Sequence, residues 1–410
     1  MAASMGRFRV PRGSTFWLRA ALGITWALWL FVVIASIRLI GSHAYDFDSY
    51  YAAAQALRFD HSANIYLSAT LAHSERAYGL CAHTGHFVPP YVYPPLLAIL
   101  LEPLTLLPCA NAAVVWLLLN AALWAVATLL LADVLARRWP GRRLAATTLM
   151  SAVSLGFLPA YYGLFLGQVH LLVLVGVALA LWLVERGRER LAGASLAVVT
   201  IIKLFPAMLV MYYLARRRWR LVGVAVGVGV ALLVVMVVGS SPATVAESLP
   251  AGAALVGGKL PTGVNEALIA IIPSALRPVG LALAALIGLT WLVVVWRRGG
   301  DDLLGFGWTL CAMLLVSPLV WSFYLVWLAP AYCACYATLG ARPLVGWRSR
   351  AAWIGLVTLY GIMVLPAFTG IHPLATLALW LLVGALYWRS APSQADAAPV
   401  SVAIHAVSER

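Results

Sequence analysis

Long apolar runs separated by short arginine clusters constrain this chain more than any other feature. The first run extends from about Phe16 to Ile40, and others lie near 109–135, 144–160, 167–184, 221–239, 278–296, 303–320, 323–340, 351–367 and 372–388. About 20 apolar residues suffice to cross a hydrocarbon core as a helix. Charged residues make up only 10% of the chain, against roughly 25% in soluble domains, so a water-facing globule is excluded. A disordered chain and a collagen-like fibre are excluded on the same ground. The runs are continuous rather than alternating, which argues against a transmembrane β-barrel. The reading is an all-α polytopic membrane protein with ten crossings.

Arginine fixes the threading. The net charge of +14 comes from 26 Arg and 2 Lys scattered between apolar runs, the pattern of cytoplasmic loops rather than of a nucleic-acid surface. The first run is too long for a signal-peptide core and is read as a retained helix. The stretch 191–215 lies between ERGRER and RRRWR, so both its flanks belong on the cytoplasmic side. It is therefore read as two half-helices that turn at Lys203 to Pro206. With that choice only Arg38, Arg58, Arg76 and Arg277 lie outside the cytoplasmic segments. The organisation that follows is a cytoplasmic N-terminus at 1–15, a transmembrane domain at 16–388 with long outer loops at 41–92 and 240–277, and a disordered cytoplasmic tail at 389–410.

Polar groups gather on the outer side of this threading. Asp46 and Asp48 directly follow the first helix, where they serve either as caps of the next helix or as a general base at the membrane surface. Gln168 and His170 lie in FLGQVHLL, Lys203 in IIKLFP, and Asn265 with Glu266 in PTGVNEAL, while Trp321 and Tyr324 belong to SPLVWSFY. Lys203 is either a lysine snorkelling along Leu204 and Phe205 or a phosphate ligand. An acidic base, a lysine and amides near one leaflet suggest a site for a lipid-linked phosphate. His73 and the CAHTGH run of Cys81, His83 and His86 have zinc-like residue types but no visible fourth ligand, and are read as a polar loop. The five cysteines are read as small core residues.

The order of motifs resembles that of glycosyltransferase family 87, polyprenol-phosphate-sugar enzymes of the GT-C superfold. The resemblance is carried by Asp46 with Tyr50 and YAAA, the YPP of Tyr93 to Pro95, Leu-Pro at 107–108, GQ at 167–168, AG at 192–193, K-x-x-P at 203–206 and SP-x-x-W at 317–321. The chain departs from the family pattern at His170 (usually Asn), at Glu266 and Ala267 (usually Gln-Ser after Asn) and at Phe323 and Tyr324 (often His).

What the resemblance implies is a GT-C-type bundle in the bacterial plasma membrane, with its active site on the extracytoplasmic side. It implies an inverting transfer of mannose, or alternatively arabinofuranose, from a polyprenyl-phosphate donor to an envelope glycolipid or glycan. Asp46 takes the role of base, with Asp48 as competitor. Lys203, Gln168, His170 and Tyr93 fall near the donor phosphate and sugar, and Asn265, Glu266, Trp321 and Tyr324 near the acceptor or its loops. No cofactor and no divalent metal are expected, and the partners are the two lipid-borne substrates. Two competing functions are a lipid transporter or flippase, which would carry its polar groups near the bilayer midplane, and a non-catalytic member of the family.

Overall fold

The computed structural model describes residues 12–40, 44–61, 63–78, 89–257, 265–341, 347–365 and 370–390, and among them every regular element is helical. The CAHTGH run and most of the expected C-terminal tail lie outside the described residues; His73 is exposed on α3 (Ser68–Tyr78). Five helical stretches are long and apolar enough to cross a membrane: Thr15–Arg38, Cys109–Arg138, Trp219–Gly239, Ser274–Arg297 and Ser322–Gly340. A sixth arises if α6 (Arg143–Leu155) and α7 (Leu158–Phe165), bent by 52°, count as one span. Length and apolarity thus support five or six of the ten expected crossings. Both α8 (His170–Val184) and α14 (Asp302–Val316) are apolar but only 15 residues long, which gives about 22 Å of helix. The protein is a multi-pass membrane protein.

The arginine clusters converge on one face. Arg138, at the end of α5 (Cys109–Arg138), pairs with Glu185 at 2.9 Å and with Asp301 at 2.8 Å. The backbone N–H of Asp301 donates to the Ser390 hydroxyl at 2.9 Å, which brings in the end of α17 (His372–Ser390). Arg218 joins Glu189 at 2.7 Å and also contacts Asp302. Singly, such half-exposed pairs contribute little. Together they record which chain ends lie side by side.

One of these pairs decides the path of 191–215. Glu189 opens α9 (Glu189–Ile202) and Arg218 follows α10 (Ala207–Ala215), so their contact brings both flanks to the same face and the segment rises and returns. The turn forms where it does because Lys203 is extended, with φ −151° and ψ 119°, and because Pro206 cannot donate into a continuing helix. Glycines let the hairpin pack closely. A Cβ on Gly193 would lie 2.3 Å from the Leu221 carbonyl of α11 (Trp219–Gly239), and one on Gly176 of α8 would lie 2.1 Å from Val199.

This packing places the site. α8 ends at the arginine face, while α9 and α14 start there, so Gln168, Lys203 and Ser317 lie at the opposite end of the bundle. Cys311, Cys333 and Cys335 are buried free thiols, as expected of core residues. Cys109 is different: it is disulfide-bonded, at the start of α5 and on the face opposite the arginines.

Candidate active site

The site begins at α2 (Tyr45–Phe59), which sinks into the protein rather than lying on its surface. Eleven of its 15 residues are buried, and Ala52, Ala53 and Ala54 are small enough to let neighbouring elements close around it. Ala44 is its N-cap and no side chain caps it, so Asp46 and Asp48 are not the caps the sequence allowed. Two positions apart on a helix, they point to different sides. Asp48 is fully buried, whereas Asp46 is half-buried. The backbone N–H groups of Asp46 and Phe47 both donate to the Leu166 carbonyl, at 3.0 and 3.3 Å, which pins the start of α2 against the end of α7.

The GQ turn brings in the second group. Gly167 has φ +73°, and a Cβ there would lie 2.6 Å from that of Phe47, so glycine is required on two counts. Its carbonyl accepts from the Trp116 indole at 2.6 Å. Gln168 Oε1 accepts from the hydroxyls of Tyr93 at 3.0 Å and Tyr50 at 3.3 Å. A carboxylate only accepts, so the Gln168 amide N–H is the group that donates to Asp46. Burial lifts the Asp46 carboxyl from the ordinary 3.8 to about 6, against the opposing pull of the Gln168 hydrogen bond and the Lys203 charge. A carboxyl tuned there is close to the working range of a general base at neutral pH.

Lys203 completes the cluster. It is only 7% exposed while the neighbouring Leu204 is 54% exposed, so the lysine turns inward and the snorkelling reading does not hold. Its ammonium donates to the Tyr324 hydroxyl and to that of Tyr93 at 3.5 Å. Four rings enclose it: Tyr324 at 3.9 Å, Tyr93 at 5.1 Å, Trp327 at 5.6 Å and Phe205 at 5.9 Å from their centroids. Among the described residues no carboxylate forms an ion pair with it, so its charge is held by phenols and ring faces and stays available to an anion.

The remaining sequence candidates divide by role. His170 is fully buried, with Nε2 3.2 Å from the Ala160 carbonyl and its ring 5.1 Å from Phe323; it packs behind the cluster. Asn265 clamps a loop: its Nδ2 donates to the Pro318 carbonyl at 3.0 Å and its Oδ1 accepts from Val320 N–H at 3.0 Å. Glu266 is buried, its N–H donating to the Val320 carbonyl at 2.7 Å and its carboxylate 3.4 Å from His372 Nδ1. These contacts hold 318–320 in place and thereby present Trp321 at the rim and Tyr324 inside. The cluster itself therefore joins Asp46, Gln168, Tyr93, Lys203 and Tyr324. Sequence reasoning did not place Tyr50, Phe205, Trp327 or His372 in or beside it. Only Tyr50 carried a signal, one helical turn after Asp46. Among the described residues, no group of three or more His, Cys, Asp or Glu is arranged to hold a metal ion.

The family model described as glycosyltransferase family 87 matches residues 91–320. The chain belongs to glycosyltransferase family 87. The match covers Tyr93, Gln168, Lys203, Asn265 and Glu266, while Trp321 and Tyr324 lie just beyond its C-terminal end and Asp46 lies 45 residues before its start. Two relatives are both named polyprenol-phosphate-mannose-dependent alpha-(1-2)-phosphatidylinositol pentamannoside mannosyltransferase. The one from Mycolicibacterium smegmatis is 30% identical over 306 residues, covering 70% of this chain and 70% of the relative. The one from Mycobacterium tuberculosis is 29% identical over 294 residues, covering 65% of this chain and 64% of the relative. No solved structure matches the chain. This family-87 chain is thus a membrane glycosyltransferase.

Proposed function

We propose that this enzyme transfers mannose from polyprenyl-phosphate mannose to a hydroxyl of an envelope glycolipid or glycan, with inversion at the anomeric carbon. The observation that carries the reading is the unbroken path from Asp46 through Gln168 and Tyr93 to Lys203, with a base at one end and an unpaired cation at the other. Asp46, ionised at neutral pH, takes the proton of the acceptor hydroxyl as its oxygen attacks the anomeric carbon. The bond from that carbon to the phosphate oxygen breaks, and polyprenyl phosphate leaves with the electron pair. Lys203 neutralises the phosphate before transfer and the added charge after it, in the place a divalent cation would otherwise take. Gln168 holds the carboxylate toward the acceptor. The rings around Lys203 exclude water, which limits loss of the donor to hydrolysis.

The names of the two mycobacterial relatives support this donor and a glycolipid acceptor. Extracytoplasmic action in a bacterial plasma membrane is supported by two independent features. The site lies opposite the arginine face, and the disulfide-bonded Cys109 shares its side, as suits an oxidising compartment. Transport would call for charged groups at mid-depth, and here they lie near one end. The test is transfer of radiolabelled mannose from polyprenyl-phosphate mannose by purified protein in liposomes: Asp46→Asn lowers turnover by at least about 100-fold, and an active variant removes Asp46 from the mechanism.

A further inference from the structure

Two partly exposed aromatic side chains that the scheme above does not use, Tyr162 and Trp321, flank the buried Phe323. Tyr162 lies on α7, its carbonyl accepting from Leu166 N–H at 3.1 Å, and Leu166 in turn binds the backbone of Asp46. One helical turn therefore separates Tyr162 from the residue that holds the base, and the Asp46 charge reaches its phenol. Tyr162 is 52% exposed and Trp321 is half-buried. Between them stands the buried Phe323, 6.3 Å from Tyr162 and 6.1 Å from Trp321, with the Trp321 and Phe323 planes within 9° of parallel. Neither the Tyr162 hydroxyl nor the Trp321 indole N–H has a hydrogen-bond partner among the described residues.

We infer that Tyr162 and Trp321 form a subsite for the acceptor glycan, a saccharide of at least two pyranose rings, one with its C–H face on the Trp321 ring and the next with its hydroxyls on Tyr162 and Asp46. An aromatic ring offers an apolar face and a polar handle together, which matches a sugar ring better than a bare hydrocarbon chain. The rim belongs to the acceptor rather than the donor because nucleophile and leaving group lie at opposite ends of an in-line displacement. Lys203 fixes the leaving phosphate on the inner side, Phe323 and Tyr324 separate it from the rim, and the incoming hydroxyl must approach Asp46 from the side that remains open. This assignment rests on the function proposed above. Tyr162 touches the acceptor; Phe323 is a positioning residue that spaces the two rings.

The test uses the full-length protein in detergent with a soluble methyl α-mannobioside, its binding measured by saturation-transfer NMR, so that no catalysis is required. Wild type binds, and Tyr162→Ala and Trp321→Ala each weaken binding about tenfold at unchanged thermal unfolding. Trp321→Phe, which keeps a ring face, retains most of it. In transfer assays both alanine variants raise the acceptor KM and leave the donor KM unchanged. Absence of binding by wild type, wild-type affinity in both alanine variants, or an equal rise in donor KM overturns the subsite; the last outcome assigns the rim to the donor. Asp46→Asn separates the two readings, since loss of transfer with retained mannobioside binding supports both, while full transfer rejects the base and leaves the binding result to judge the rim.

Discussion

Replacing Asp46 by Asn should remove activity and at the same time stabilise the protein. Each tenfold change in proton affinity corresponds to about 1.4 kcal/mol, so a carboxyl raised from 3.8 to about 6 means that the ionised form costs the folded state up to about 3 kcal/mol. Part of that figure is lost to solvent screening, because Asp46 is half-buried, and part to the weaker hydrogen bond that Gln168 makes to a neutral amide. A net gain of about 1–2 kcal/mol remains. The sign of the pH dependence follows from the raised value. Below 3.8 the carboxyl is protonated in both folded and unfolded chains and costs nothing. The penalty grows between 3.8 and about 6, and above 6 it is complete. Thermal unfolding of wild type and Asp46→Asn in the same detergent should therefore differ most above pH 6 and converge toward pH 4. Wild-type transfer should rise through the same interval, about tenfold between pH 5 and pH 7 at saturating donor. A variant that is less stable at pH 7.5, or a stability difference that does not change with pH, would refute the claim that burial of this charge sets its proton affinity.

Three further outcomes are expected. Lys203→Met should raise the donor KM and lower kcat, with Lys203→Arg restoring only part of both because a planar fork does not fit the space of an ammonium; donor-dependence of transfer in liposomes checks it, and unchanged kinetics reject the phosphate role. Gly193→Ala should destabilise the protein by about 1–3 kcal/mol, since its Cβ would meet the backbone of Leu221 at 2.3 Å rather than a movable side chain; detergent-phase unfolding measures it, and wild-type stability would show that the α9–α11 contact is looser than described. Single cysteines at the exposed Glu247 and Arg190, in a background without native cysteines, should react with an impermeant thiol reagent from outside intact cells and only after lysis, respectively. Labelling of both from outside would break the common-face arrangement.

By itself the sequence determined what is set by solvent and by local chemistry. Apolar runs must become helices in a bilayer because unsatisfied backbone groups there are too costly, and the flanking arginines predicted the hairpin at Lys203 that the Glu189–Arg218 pair now displays. Asp46, Gln168, Lys203 and Tyr324 were also legible as polar groups that stand out against apolar runs, and Tyr93 through the family pattern. Other features are properties of distance between parts far apart in sequence, and only the tertiary structure decided them. Whether Lys203 snorkels or turns inward depends on four rings drawn from three separate segments. Asp46 is held by Gln168, more than a hundred residues away in sequence. His170, Asn265 and Glu266 were conspicuous as polar groups in an apolar chain, and the structure adds which contacts they make, to backbone, a ring and a histidine. Tyr162 carried no mark for the converse reason, and Phe323 stood out only as a departure from the family pattern. An aromatic residue inside an apolar run carries no local mark of function, and only the packing of α7 against Ser322–Leu328 sets Tyr162 beside Phe323.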